Sequence, residues 1–297
     1  MNTSIYIPPS CRPLSEDMAK QQIRLGIQGF PGSGKDWSIL GTPDGRQKGF
    51  PNPIVLNLDR GLGAHSQCST IYEVPLYKMY KRTEQKDKLI EWLDREGTKL
   101  SENQTLVIDS LSSLEQIYHI WFKDNESQLA VSSNGSYNNF VEWNLKDKWF
   151  NEIHNIIKGF KCDIVLLSHE AERADKPISP GQPGLYTGKI RPILSGKFGD
   201  LIVREYTDWF RQMSSSKTKE PKEDTLKSFR LSKTEFVTMS DTFVGETIYF
   251  WVTKGTDTFD AKASSLVNPP TFIPATYESF CKYSRQTNKQ TINNIRT

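Results

Sequence analysis

The segment Gly29-Phe30-Pro31-Gly32-Ser33-Gly34-Lys35 has the form G-x-x-x-x-G-K, a spacing that serves phosphate chemistry. Its glycines let successive backbone N–H groups turn inward around an anion, and Lys35 then reaches the β- and γ-phosphates of a nucleotide. A helix opening at Lys35 adds its positive end to the same anion, so this run, with Asp36 and Trp37, is the expected nucleotide-binding stretch. One position departs from the pattern. Ser or Thr after the lysine would offer Mg²⁺ a hydroxyl, and here Asp36 stands instead. A carboxylate also ligates Mg²⁺, but at ~4 Å an uncompensated like charge costs about 4 kcal/mol at an effective dielectric near 20. Either metal neutralises Asp36 or nucleotide binding is weakened. Ser38 faces another direction on the helix and does not replace the missing hydroxyl. Leu106-Val107-Ile108-Asp109 has the form of a Walker B strand, whose terminal Asp109 would hold Mg²⁺ directly or through water. Alternatively Asp109 caps the next helix, a task Ser110 could share.

These residues need a scaffold, and the hydrophobic patterning supplies one. Residues 22–28 read as a strand feeding the Gly-rich turn, and short apolar runs at 53–58, 104–108 and 162–167 read as buried parallel strands. The second run is followed by Asp59, the third by Asp109 and the last by Ser168, His169 and Glu170. Helical patterns lie between them at 89–92, 111–122 and 141–160. Strands alternating with helices predict an α/β fold, a mostly parallel twisted sheet with helices on both faces. Residues 171–189 lack apolar periodicity and are expected to form a long surface loop, part of a loop region spanning 170–198. Further on, 208–213 and 229–237 read as strands flanking a basic hairpin tip at 214–228, and 247–252 as a last strand, giving a β-rich C-terminal portion. The expected division is an N-terminal extension at 1–21, a core at 22–265 and a basic tail at 266–297.

Composition narrows the function classes. The chain has 297 residues, 36% hydrophobic and 25% charged, which excludes disorder throughout and permits a sizeable core. No window approaches the roughly 18 consecutive apolar residues of a membrane helix, and residues 1–10 lack a leader's basic and apolar regions. No membrane association is therefore expected, and a cytoplasmic location is. The four cysteines and four histidines are scattered, without zinc spacing or a disulfide framework, which fits a reducing compartment. The net charge of +3 argues by itself for no partner, but 186–233 holds 11 basic and 6 acidic residues, a local +5.

The order of P-loop, acid-ended second strand, Walker B strand and polar-ended strand over 22–252 resembles the RecA-type ATPase core. Within that group the chain looks like the small phage-encoded RecA-like ATPases grouped with single-strand annealing and recombination proteins. The resemblance implies that Asp59 polarises the attacking water as general base, with Lys35 on the phosphates. It makes His169 a γ-phosphate sensor, although a histidine that merely caps its strand is an equal reading. It also implies that the segment after His169 binds DNA through Arg173, Lys176, Lys189, Arg191 and Lys197. Tyr186, Phe198, Tyr206, Trp209 and Phe210 interleave with those cations and would either stack on bases or belong to the core. Lys254 and Lys262 are candidates for a cation reaching a neighbouring subunit's γ-phosphate, or ordinary solvated lysines. The implied protein uses ATP and Mg²⁺, hydrolyses ATP, self-associates as a ring or filament and anneals single-stranded DNA in a host-cell cytoplasm. A single-strand-binding protein is a candidate partner. A nucleotide-binding scaffold disabled by Asp36 and a helicase- or packaging-type motor are the alternatives.

Overall fold

A computed structural model describes residues 22–58, 61–129, 139–174, 186–194, 198–229, 231–243, 245–256 and 259–284. The chain runs β1 (Arg24–Gly29), α1 (Lys35–Leu40), β2 (Pro53–Asn57), β3 (Tyr72–Val74), α2 (Leu76–Met79), α3 (Gln85–Arg95), β4 (Thr105–Asp109), α4 (Leu111–Leu129) and α5 (Asn139–Lys158). It continues through β5 (Asp163–Ala174), β6 (Tyr186–Pro192), α6 (Phe198–Glu205), β7 (Asp208–Ser216), α7 (Glu223–Phe229), α8 (Lys233–Ser240), β8 (Thr247–Val252), β9 (Lys262–Ala263), β10 (Phe272–Pro274) and α9 (Tyr277–Tyr283). Among the described residues these strands join one ten-stranded sheet, ordered β10-β8-β7-β1-β5-β4-β2-β3, with β6 on β5 and β9 on β7.

From β3 to β7 every pairing on that path is parallel, and β8 and β10 add antiparallel strands on the other side. The strand alternation explains why both faces are covered. Leu56, Leu106, Ile108, Ile164, Leu166 and Trp209 point into one core with α3 to α6, while Val55, Val107, Val165, Leu167 and Phe210 point into the other with α1 and α9. Each such fully buried side chain contributes about 1.5–3 kcal/mol. Gly26 is required in the central strand because a Cβ there would overlap the indole of its β7 neighbour Trp209. The expected α/β class is therefore present, a mostly parallel sheet with helices on both faces, extended by antiparallel strands on its C-terminal side. A third apolar cluster, Phe229, Phe236, Phe243, Ile248, Phe250, Val252 and Phe272, packs α7 and α8 on β8 and β10.

Three expectations need correction. The loop predicted at 171–189 is strand at both of its described ends: β5 runs for 12 residues to Ala174, and β6, from Tyr186, returns antiparallel to it, Glu170 opposite Pro192. Residues 229–237 are no strand, and 214–228 is no hairpin. The next strand to pair with β7 is β8, antiparallel, and α7 and α8 occupy the segment between them. Ser232 and Glu235 form a capping box, each answering the other's backbone N–H, and this local start signal prevails over the strand-like apolar alternation. Residues 266–284 of the expected basic tail are structured, since β10 closes one sheet edge and α9 buries Phe280. Residues 1–21 and 285–297 lie outside the described residues.

Candidate nucleotide-binding site

Strand β1 lies between β5 and β7 and ends at Gly29, where the chain enters the Gly-rich loop. Gly34 adopts a left-handed conformation, φ 78° and ψ 27°, at the start of α1, and a Cβ there would also overlap the Tyr249 ring beneath it. Burial holds the Tyr249 phenol above its ordinary pKa. At Gly32, also left-handed with φ 77°, a Cβ would meet nothing within 4 Å, so the loop's crest opens onto free space. Phe30 and Pro31 are exposed on the loop, whereas Ser33 is buried and its Oγ has no partner. The Lys35 side chain is buried, its Nζ donating to the carbonyls of Gly29 at 3.1 Å and Phe30 at 3.2 Å. The Lys35 ammonium is thus seated against the backbone of its own loop. Asp36 falls in the first turn of α1, and half-buried Trp37 meets the His65 ring edge-on at 5.7 Å. Ser38 turns away from the loop as expected, its hydroxyl 2.7 Å from both Lys35 O and Gln212 Oε1 and able to donate to either.

The other predicted site residues converge on the same end of the sheet in part. Asp109 closes β4, buried and level with Asn57 of β2. His169 lies level with Gly29 on β5, and its Nδ1 approaches Lys35 Nζ to 3.5 Å, the limit of a hydrogen bond. With Lys35 charged, that nitrogen is the acceptor. The His169 backbone N–H donates to Ser112 Oγ of α4 at 3.4 Å, and its carbonyl accepts from Ile193 N–H at 2.7 Å, just past β6. His169 is therefore tied at once to Lys35, to the helix α4 that follows β4 and to the end of the returning strand β6. Asp59 lies outside the described residues.

Mg²⁺ takes one or two carboxylates plus phosphate oxygens and water. Asp36 and Asp109 are a donor set of that kind, and the open crest at Gly32 with the seated Lys35 ammonium fits a polyphosphate. Among the described residues no three His, Cys, Asp or Glu side chains gather into a metal cluster.

Of the predicted DNA contacts, Arg173 is placed on β5 and Lys189 and Arg191 on β6, so they share the hairpin. Arg191 makes an ion pair with Asp260 at 3.7 Å. Lys176 and Lys197 lie outside the described residues. The stacking platform is overturned for four of its aromatics: Phe198, Tyr206, Trp209 and Phe210 are all buried in the two cores. Tyr206 is so enclosed that its phenol is pushed well above its usual range by burial. Lys262 is no free cation either, since its Nζ donates to Arg204 O at 3.0 Å and Tyr206 O at 2.8 Å. Lys254 is exposed beyond β8.

Sequence reasoning missed Gln212, whose Nε2 donates to Ser33 O at 2.8 Å while Oε1 accepts from Ser38 and from Trp251 Nε1 at 3.1 Å. It clamps the loop to β7 from a position 1% exposed. The available signal was the polar pair Arg211-Gln212 set between the apolar Trp209-Phe210 and Met213.

A family model described as AAA domain matches residues 21–262. Among solved structures the chain is similar to a RadB recombinase, at 9% identity over 80% of this chain and 90% of that one, with a TM-score of 0.31. It is likewise similar to the flagellar accessory protein FlaH from Methanocaldococcus jannaschii, at 12% identity over 84% and 92%, with a TM-score of 0.31. No curated protein matches. Among the described residues no helix is long and apolar enough to cross a membrane.

Proposed function

The chain belongs to the AAA domain family, and from that premise we propose that it is an ATP-hydrolysing DNA-recombination protein that binds and anneals single strands. One observation carries the reading. Strand β5 brings His169 beside Lys35 and, without a break, continues into the hairpin that bears Arg173 and pairs with the strand of Lys189 and Arg191. Phosphate chemistry and a basic arm thus share one piece of backbone.

In this reading the 29–35 loop and Lys35 bind the β- and γ-phosphates, and Asp36 and Asp109 hold Mg²⁺. The ion, when bound, neutralises charge on the transferring phosphoryl group. Asp59 orients water, and His169 exchanges its contact with Lys35 for one with the γ-phosphate, which the hairpin registers through the His169 carbonyl and Ile193. Assembly into a ring or filament, cooperation with a single-strand-binding protein, phage origin and a host-cytoplasm location complete the proposal, all resting on the resemblance. Asp36 favours one second reading, a nucleotide-ordered scaffold without efficient hydrolysis.

The test is titration of a fluorescent ATP analogue with and without Mg²⁺, then phosphate release with and without single-stranded DNA. Metal-dependent binding with DNA-stimulated release is expected. Binding without release makes the scaffold the better account, and absence of binding removes both.

A further inference from the structure

A buried ion pair crosses the exit of β1. Arg211 of β7 donates from Nε to both oxygens of Glu170, each at 3.1 Å, and from Nη2 to Oε1 at 2.9 Å. The Glu170 side chain is fully buried and that of Arg211 is 12% exposed. Because β1 separates β5 from β7, this fork bridges strands that do not touch one another, over the point where Gly29 and Phe30 open the P-loop. The guanidinium faces two rings, Phe30 with its centroid at 5.9 Å and Phe259 at 5.1 Å.

Each ring belongs to a different part of the chain. Phe30 is half-exposed on the P-loop. Phe259 lies in a segment that touches the hairpin twice, through its bridge to Ile190 of β6 and through the neighbouring Asp260–Arg191 ion pair. Glu170 is the residue of β5 that opens the hairpin, opposite Pro192. A buried ion pair is weak evidence for stability, because apolar residues of similar volume serve as well. A planar, two-pronged cation held between two rings is instead suited to fixing relative orientation.

We propose that Arg211 is a positioning residue that couples the P-loop to the β5–β6 hairpin, its fork on Glu170 and its stack on Phe30 setting the hairpin's orientation according to nucleotide occupancy. Nucleotide that rearranges the loop displaces Phe30 from the guanidinium, and the hairpin root follows through Glu170. The DNA-dependent half of the inference rests on the proposed function; the nucleotide-dependent half does not.

The experiment compares the full-length wild type with Arg211→Lys, which keeps a cation for Glu170 but loses the fork and the plane. A Glu170→Gln/Arg211→Met double variant, which leaves no buried charge, serves if the single one fails to fold. Circular dichroism melts establish folding, and the readouts are affinity for a fluorescent ATP analogue, phosphate release with and without single-stranded DNA, and amide exchange in 170–174 and 186–192 with and without the analogue. Affinity and basal release are expected to stay near wild type, while stimulation by DNA falls about fivefold or more, the lower end of ordinary coupling. In the wild type the analogue changes hairpin exchange; in the variant it does not. Unchanged stimulation and exchange in a folded variant, loss of ATP affinity together with stimulation, or wild-type hairpin exchange indifferent to the analogue would each overturn the proposal. Coupled exchange in a wild type that shows no DNA stimulation keeps the positioning role and removes the DNA function.

Discussion

Lys35 seats its ammonium on two carbonyls of its own loop, so its removal takes away the charge while the glycine backbone stays able to turn. Lys35→Ala is expected to abolish binding of a fluorescent ATP analogue; retained affinity would end the phosphate reading of this loop. Gln212 acts on the same loop from outside it. Gln212→Leu leaves the Ser33 carbonyl and the Trp251 N–H buried without their partner, at about 1–3 kcal/mol for each unmet group. Both the melting temperature and nucleotide affinity should fall, and a variant melting with the wild type would show that the clamp carries no weight. For Asp36→Thr the expectation is faster phosphate release, because the charge beside the triphosphate goes and a hydroxyl arrives; an unchanged rate counts against the scaffold account. These two kinds of residue differ in how legible they were. Gly29 to Lys35 announce themselves by spacing within seven positions, whereas Gln212 meets Ser33 across 179, and no local pattern encodes so distant a contact.

Strands with one apolar face toward each core were readable, because burial on both sides leaves nearly continuous runs such as Leu106-Val107-Ile108. Beyond Glu170 that rule fails. The β5–β6 pairing is a backbone ladder between stretches of largely polar sequence, which carry no apolar periodicity and so resemble a loop. The start of α8 was legible in Ser-Lys-Thr-Glu at 232–235, a capping signature set among the apolar residues Phe229, Leu231 and Phe236. The hairpin gives the prediction at this scale. Neutralising Arg173, Lys189 and Arg191 together removes up to three phosphate contacts, and each contributes about 0.7 to the slope of log affinity against log salt for single strands. The slope should flatten by about 2. A slope equal to the wild type's would move the DNA site elsewhere, the basic residues at 282–297 being the next to test.

Across the whole molecule, burial keeps several acidic protons in place. The Cys162 thiol is raised from its ordinary value near 9 to about 11, and the phenols of Tyr118, Tyr206 and Tyr277 are raised above their usual range. A native pKa above the unfolded one means stability that is whole below the unfolded value and lost as pH climbs through the native one. Denaturant midpoints should therefore hold to about pH 9 and decline toward pH 11, and a midpoint flat across that span would mean these groups ionise as easily in the native chain. The position of β1 carries a different consequence, for the order in which the protein is made. It is the first strand of the described fold to leave the ribosome, yet its neighbours begin at Asp163 and Asp208. At roughly 5–20 residues per second, translation needs on the order of 10–40 s to pass from the finished glycine loop to the glutamine that steadies it. For that interval the loop exists as sequence without shape. A stalled nascent chain should acquire nucleotide only after Gln212 has cleared the exit tunnel, so the glycine loop would wait for β7 before it could hold a phosphate.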